Sequence, residues 1–146
     1  MKTVKELVES KDRKVWSIPP KAKVFDALKL MSEKEIGALM VMNEKGDVRG
    51  IISERDYARK ITLMGRFSKD TLVKDIMTTQ VYGVHPSATA EECLALMTDR
   101  RIRHLPVLEK DKLAGVISIG DVVKAVMSTQ KVTIQQLENY IMGKYQ

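Results

Sequence analysis

Three residues at one turn, Ser118, Gly120 and Asp121, have the types and spacing to hold an anion. They stand where an apolar run, 113–118, gives way to an amphipathic run, 119–127. The first N–H groups of a helix have no partner inside it and carry partial positive charge. An anion fits there. Ser118 can donate its hydroxyl to an anionic oxygen, and Gly120 lets a ligand approach the backbone. The competing reading is a plain helix cap, in which Ser118 and Asp121 satisfy the start of the helix itself. One run earlier, Arg103 and His104 open another apolar stretch, 104–108. Arg suits bidentate contact with a phosphate, and His can donate to one. Here too a bland reading stands beside the chemical one: Arg103 as a solvated surface charge, His104 as a satisfied, half-buried ring.

Other chemistries lack their residues. His85, Cys93 and His104 have no metal-ligand spacing, so no metal site is expected. Cys93 is the only cysteine, which rules out an internal disulfide and points to a reducing compartment, the cytoplasm. It also has no partners for nucleophilic catalysis. No Gly-rich strand–helix fingerprint of the dinucleotide or P-loop type is present. An enzyme is therefore not expected. Residues 1–15 lack the apolar core of a signal peptide, and no apolar run approaches the roughly 20 residues that span a bilayer. Hydrophobic content of 44% and charged content of 30% describe a folded chain. At 146 residues it can bury about 70% of its unfolded surface without a covalent staple. The net charge of +6 favours anionic partners without choosing among them.

The elements that must position these residues come twice. Displaced by 66, Val15 falls on Val81, Pro20 on Pro86, Ala22 on Ala88, Met31 on Met97, Leu39 on Leu105 and Val41 on Val107. With one residue removed near 43–47 the displacement becomes 65, and Gly50 meets Gly115, Ser53 meets Ser118 and Asp56 meets Asp121. Even the lead-ins match, "VKELV" at Val4 with "VKDIM" at Val73. Each copy reads as a lead helix (4–9; 73–77), a short extended segment ending in Pro (16–18; 82–84) and an amphipathic helix. A hairpin of two apolar strands follows (38–42 with 48–53; 104–108 with 113–118), then a closing helix (54–63; 119–127). Thr89 with Glu92 forms a capping-box pattern. The fold expected is α/β (α+β): two β-α-β-β-α halves, 1–65 and 66–130, packed face to face about a pseudo-twofold. Residues 62–72 join them as a loop, and a helical tail, 131–146, carries an apolar stripe that packs on the body or on a partner chain.

The motifs "GIISERD" (50–56), "RIRHLPV" (101–107) and "GVISIGD" (115–121), doubled in register, resemble CBS domains, whose tandem pair is called a Bateman module. The resemblance covers essentially residues 1–130. It implies a free-standing, non-catalytic regulatory module that binds an adenine nucleotide (AMP, ADP, ATP, NAD or S-adenosylmethionine) and signals to a partner protein. It also implies a homodimer stacked through its helices. On this reading Asp121 holds the ribose hydroxyls, Ser118, Arg103 and His104 face phosphate, and Pro106 lies on the strand lining the cleft. Val84, Pro86 and Ala88 wall an adenine slot, with Ile18, Pro19 and Ala22 in the first copy, and backbone groups there pair with the base edge. The first copy has Ser53, Arg55 and Asp56 at its junction, with Gly37 and Ala38 where Arg103 and His104 stand. Glu54 there would repel a phosphate. Lys60 reads as an ion-pair partner of Asp56.

Two other classes compete. Arg100, Arg101 and Arg103 cluster, as do Lys11, Arg13 and Lys14, which suits nucleic acid. Aromatics are only 5%, however, and no stacking platform is evident. A ligand-free interaction module is the third class.

Overall fold

Apolar periodicity sets the elements. The computed structural model describes residues 2–10, 15–129 and 134–142. The basic run Lys11, Arg13 and Lys14 lies outside the described residues. In chain order come α1 (Val4–Ser10), β1 (Ser17–Ile18), α2 (Val24–Lys34), β2 (Ala38–Met42), β3 (Val48–Ser53) and α3 (Glu54–Tyr57). Then follow α4 (Val73–Ile76), α5 (Ala90–Arg100), β4 (His104–Glu109), β5 (Lys112–Ser118), α6 (Ile119–Thr129) and α7 (Ile134–Met142). This is the expected α+β order, with two departures. The helix expected over 54–63 is four α-helical residues followed by a π-helical turn, Ala58–Thr62. The extended segment before the second Pro is a single parallel bridge, Val84 to Val107.

The chain forms two compact units, and they do not follow the repeat boundaries 1–65 and 66–130. One holds Met1–Asp12, Gly83–Glu109 and Ala114–Gln146; the other holds Arg13–Tyr82 and Lys110–Leu113. The lead segments have changed places. The one that precedes the first repeat sits in the unit of the second, and the one that follows the first repeat stays with the first. Backbone hydrogen bonds are the cause. In the second-repeat unit, Val4 N–H donates to Ala88 O (2.8 Å), Lys5 N–H to Pro86 O (2.9 Å) and Ala90 N–H to Lys2 O (2.9 Å). In the first-repeat unit, Val73 N–H donates to Ala22 O (2.7 Å), Lys74 N–H to Pro20 O (2.9 Å) and Val24 N–H to Thr71 O (2.9 Å). In each unit, orphan N–H groups at the start of a lead helix find their acceptors in the proline segment.

The first-repeat unit is built on the sheet β1-β2-β3. β1 runs parallel to β2 with Ile18 opposite Val41, and β2 antiparallel to β3 with Ala38 opposite Ser53. Val24, Ala27 and Met31 of α2, at i, i+3 and i+7, are buried with Leu39, Val41, Ile52, Ile61, Val73 and Ile76. Each large apolar side chain of this kind contributes about 1.5–3 kcal/mol.

The second-repeat unit repeats this with β4, β5, α5 and α6. Thr89 Oγ1 accepts the Glu92 N–H (3.1 Å) at the start of α5, as the capping pattern predicts. Ala90, Cys93 and Met97 take the i, i+3, i+7 positions and are buried, so Cys93 is core where the first copy has Ala27. The residue removed between copies has a location. Lys110 and Asp111, at φ 52° and 64°, close β4 and β5 with a two-residue turn. The first hairpin has a longer loop, and its register shifts between Val41 and Met42. The tail forms α7, but Tyr140 (85% exposed) and Ile141 (76%) face outward. The expected packing of this stripe on the body is therefore not seen at these two residues.

Candidate functional site

The second-repeat junction gathers its predicted residues around the start of α6. Arg103 C=O accepts the Ile119 N–H (2.8 Å), which ties the residue before β4 to the first turn of the helix. Ser118 and Asp121 cap that turn reciprocally: Ser118 N–H donates to Asp121 Oδ2 (2.8 Å), and Asp121 N–H to Ser118 Oγ (3.2 Å). The cap reading of this pair is thus correct as geometry, and it fixes both side chains in one orientation. Gly120 is exposed, and a Cβ there would meet only Ser118 Oγ at 3.6 Å. Among the described residues nothing else beyond its own helix lies within 4 Å of that position. Arg103 is exposed, His104 half-buried, and Pro106 buried in β4.

The first-repeat junction has the same frame and a different interior. Gly37 C=O accepts the Glu54 N–H (3.0 Å), as Arg103 C=O does for Ile119. Ser53 and Asp56 form the same reciprocal cap, and Ser53 Oγ also donates to Asp56 Oδ2 (3.2 Å). Asp56 is only 7% exposed. Its Oδ1 accepts Thr78 Oγ1–H (3.0 Å) and Lys60 Nζ (3.1 Å), and Lys60 Nζ also donates to Ile76 O (2.8 Å). The Lys60–Asp56 pair follows from the i, i+4 spacing. Thr78 does not, because it arrives from 22 residues away. Arg55 is exposed, and Ala38 half-buried beside Ser53.

The backbone groups of the proline segments, expected to pair with a base edge, also bond within the fold. Ala22 N–H donates to Pro19 O and Ala88 N–H to His85 O, while the Ala22 and Ala88 carbonyls hold the lead helices. Val84 donates to Pro106 O and accepts from Leu108 N–H. A base edge at these positions can gain only a second bond to a shared carbonyl. Ile18 is buried in the first-repeat core and is no wall of an open slot, while Pro86 is buried too. Ala22, Val84 and Ala88 remain half-buried.

The glycines of the two G-h-h-S motifs serve packing. A Cβ on Gly50 would come within 2.7 Å of Thr78 O, and one on Gly115 within 3.0 Å of the Val8 side chain. In each unit the strand is approached closely by a lead segment, which explains the recurrence of Gly at this step.

Burial, with Glu92 beside it, pushes the Cys93 thiol up to about 11. Of the arginine cluster, Arg100 lies 3.5 Å from Asp99. Among the described residues no group of three or more His, Cys, Asp or Glu could hold a metal ion. No described helix is long and apolar enough to cross a membrane.

Known proteins share this arrangement. The CBS domain family matches residues 4–63 and 73–128. The chain is 45% identical over 126 residues to "CBS domain-containing protein CBSX3, mitochondrial" of Arabidopsis thaliana, covering 84% of this chain and 61% of that one. It is similar in structure to a putative signal-transduction protein with CBS domains from Burkholderia ambifaria, with a TM-score of 0.85 and 49% identity over 91% of this chain and 99% of that one. CBSX2 in complex with AMP is also similar, with a TM-score of 0.72 and 27% identity over 89% of this chain and 99% of that one. Two reciprocally capped strand–helix junctions, each matched by the family in tandem, show that the chain belongs to the CBS-domain family as a pair of CBS repeats.

Proposed function

We propose that this CBS pair is a non-catalytic regulatory module that binds an adenine nucleotide and passes its occupancy to a partner protein. The observation that carries the reading is the second-repeat junction. An oriented Ser118–Asp121 pair, the Gly120 backbone and the Arg103 carbonyl meet at the start of α6, and the Arg103 side chain is exposed. Ser118 and the helix N–H groups suit a phosphate, Asp121 suits a ribose diol, and Arg103 suits the phosphate charge. The AMP complex of CBSX2 supports the ligand class. The module works as a homodimer on this reading, its contact using exposed apolar residues such as Phe25 and Val123.

Protein freed of small molecules is heated with AMP, ADP, ATP, NAD or S-adenosylmethionine, and separately with a short single-stranded oligonucleotide. A ligand at a hundredfold excess over its dissociation constant adds about 2.7 kcal/mol. That raises the melting temperature of a domain of this size by several degrees. No shift with any adenine compound sinks the reading, and a shift with the oligonucleotide alone replaces it with nucleic-acid binding.

A further inference from the structure

We infer that the loop 63–69 is a contact for an anionic lipid surface: Leu63, Met64 and Phe67 enter the boundary between headgroups and acyl chains, and Arg59, Arg66 and Lys69 face the headgroup charge. The inference is independent of the nucleotide reading and adds a second surface to it. Leu63, Met64 and Phe67 are 78%, 66% and 72% exposed, and none belongs to the core cluster of the first-repeat unit. One exposed apolar side chain is ordinary, but three within residues 63–67 mark a contact surface. The backbone holds them there. Leu63 N–H donates to Ala58 O (3.2 Å) and Arg66 N–H to Ile61 O (2.9 Å), which folds the loop back on the π-helical turn. Gly65, at φ 68°, turns the chain between Met64 and Arg66, and a Cβ there would meet nothing within 4 Å. At the other end Phe67 C=O accepts the Asp70 N–H (3.0 Å) and Thr71 Oγ1–H (2.9 Å). Ser68 C=O accepts the Phe25 N–H (3.0 Å) near the start of α2. The apolar tip is therefore presented by a loop tied at both ends.

Charge selects the occupant. Between Asp56 and Asp70 the chain has four cations and no carboxylate. Lys60 is used inside the fold, by Asp56 Oδ1 and Ile76 O. Arg59, Arg66 and Lys69 are exposed and make no ion pair among the described residues. Lys69 Nζ lies 4.9 Å from the centre of the Phe25 ring, which keeps it beside the loop. An apolar tip with cations before and after it in the chain suits a negatively charged membrane interface. The apolar groups sit below the headgroups and the cations at their level. A second copy is the poorer occupant, because a twofold contact through this loop would set the three cations against their own copies. An acidic protein would need a socket shaped for a projecting tip, whereas a lipid boundary opens around it. The contact is superficial, since no described helix is long and apolar enough to cross a membrane.

Co-sedimentation of the full chain with vesicles reads the result. With equal parts of phosphatidylglycerol and phosphatidylcholine at low salt the chain should pellet, and with phosphatidylcholine alone it should bind at least about tenfold more weakly. The combined Leu63→Ser, Met64→Ser, Phe67→Ser variant keeps the net charge of +6 and should lose at least about tenfold on the anionic vesicles. Each cation near such a surface strengthens binding about fivefold, so the combined Arg59→Gln, Arg66→Gln, Lys69→Gln variant should weaken it about a hundredfold. Both variants change exposed side chains and should keep the circular dichroism of the wild type. Insertion has its own readout. The emission of Phe67→Trp should move to shorter wavelength with anionic vesicles, beyond any change of Trp16 in the wild type. A wild-type chain left in the supernatant, equal binding to neutral vesicles, or an apolar variant that pellets like the wild type overturns the inference. The last outcome would reduce it to the general attraction of a basic chain. An unbound wild type whose apolar variant alone drops to half the mass in light scattering would give the loop to a second copy instead. None of these results bears on nucleotide binding, so the two readings stand or fall separately.

Discussion

Arg103 supplies its carbonyl to the fold and leaves its exposed guanidinium for other work. Arg103→Ala should therefore keep the melting temperature within a degree or two yet weaken AMP by about 1.5–3 kcal/mol. Adenosine, which lacks the phosphate, should bind the variant as it binds the wild type; equal losses for both ligands in calorimetry would remove the phosphate role. Gly120→Ala tests the backbone itself. With only Ser118 Oγ nearby, the added methyl meets no clash and should stabilise α6 by up to about 1 kcal/mol. A ligand seated against that backbone should nevertheless bind more weakly, so urea melts and titration should move in opposite directions. Cys93 carries a third expectation. Its folded thiol holds the proton up to about 11, above the value of an exposed thiol. The contribution is whole below the unfolded pKa and is lost as pH climbs from there towards the folded one, by at most about 1.4 kcal/mol per pH unit. Cys93→Ala, which copies Ala27, should remove this part of the alkaline loss when the two proteins are compared by denaturation from pH 8 to 11. The Ser118–Asp121 pair was legible because a capping box is a local pattern. The Thr78–Asp56 bond was not, because nothing near either residue announces the other.

Strands and helices were legible for the same local reason. Short apolar runs between polar connections located β2 and β3 to the residue, and the Thr89–Glu92 capping pattern located the start of α5. The exchange of lead segments was not legible. It rests on backbone N–H and C=O groups of Val4, Lys5, Pro86 and Ala88, which side-chain patterns do not encode. The recurrent glycines were visible as a motif, but their reason is this docking. Gly50→Ala forces a methyl against Thr78 O, a backbone atom, and should cost about 1–3 kcal/mol in urea denaturation. Gly115→Ala meets only the Val8 methyls and should cost less. A smaller cost for Gly50→Ala would show that the Thr78 strand yields. Both long first helices end on a non-glycine residue in the left-handed region, Glu35 at φ 53° and Arg101 at φ 54°. Glu35 N–H caps the last carbonyls of α2, so Glu35→Gly keeps the bonds and relieves the conformation. It should add up to about 1 kcal/mol.

For the whole molecule, the tandem family and its fold were legible in the doubled motifs, and the family matches fall inside the two repeats; the compact units are divided differently, because the lead segments bond across chain order. The sequence reading also expected apolar helix surface left over for a second copy. Val24 and Val122 prove to be core, while Phe25, Val123 and the α7 residues Tyr140, Ile141 and Met142 stay exposed. Light scattering at high micromolar concentration should give twice 16.5 kDa, and a mass of 16.5 kDa would end the dimer proposal. The displaced lead segment has a further consequence during synthesis. Residues 2–10 are made roughly 80 residues before their acceptors at Pro86 and Ala88, several seconds at about 5–20 residues per second. The core cluster of the first-repeat unit, from Ile18 to Ile76, is complete before that. The nascent chain should therefore become protease-resistant over 15–78 first, with residues 2–10 docking later. Ribosome-stalled chains ending near residues 110 and 140, with allowance for the exit tunnel, would show protection of 15–78 before protection of 2–10.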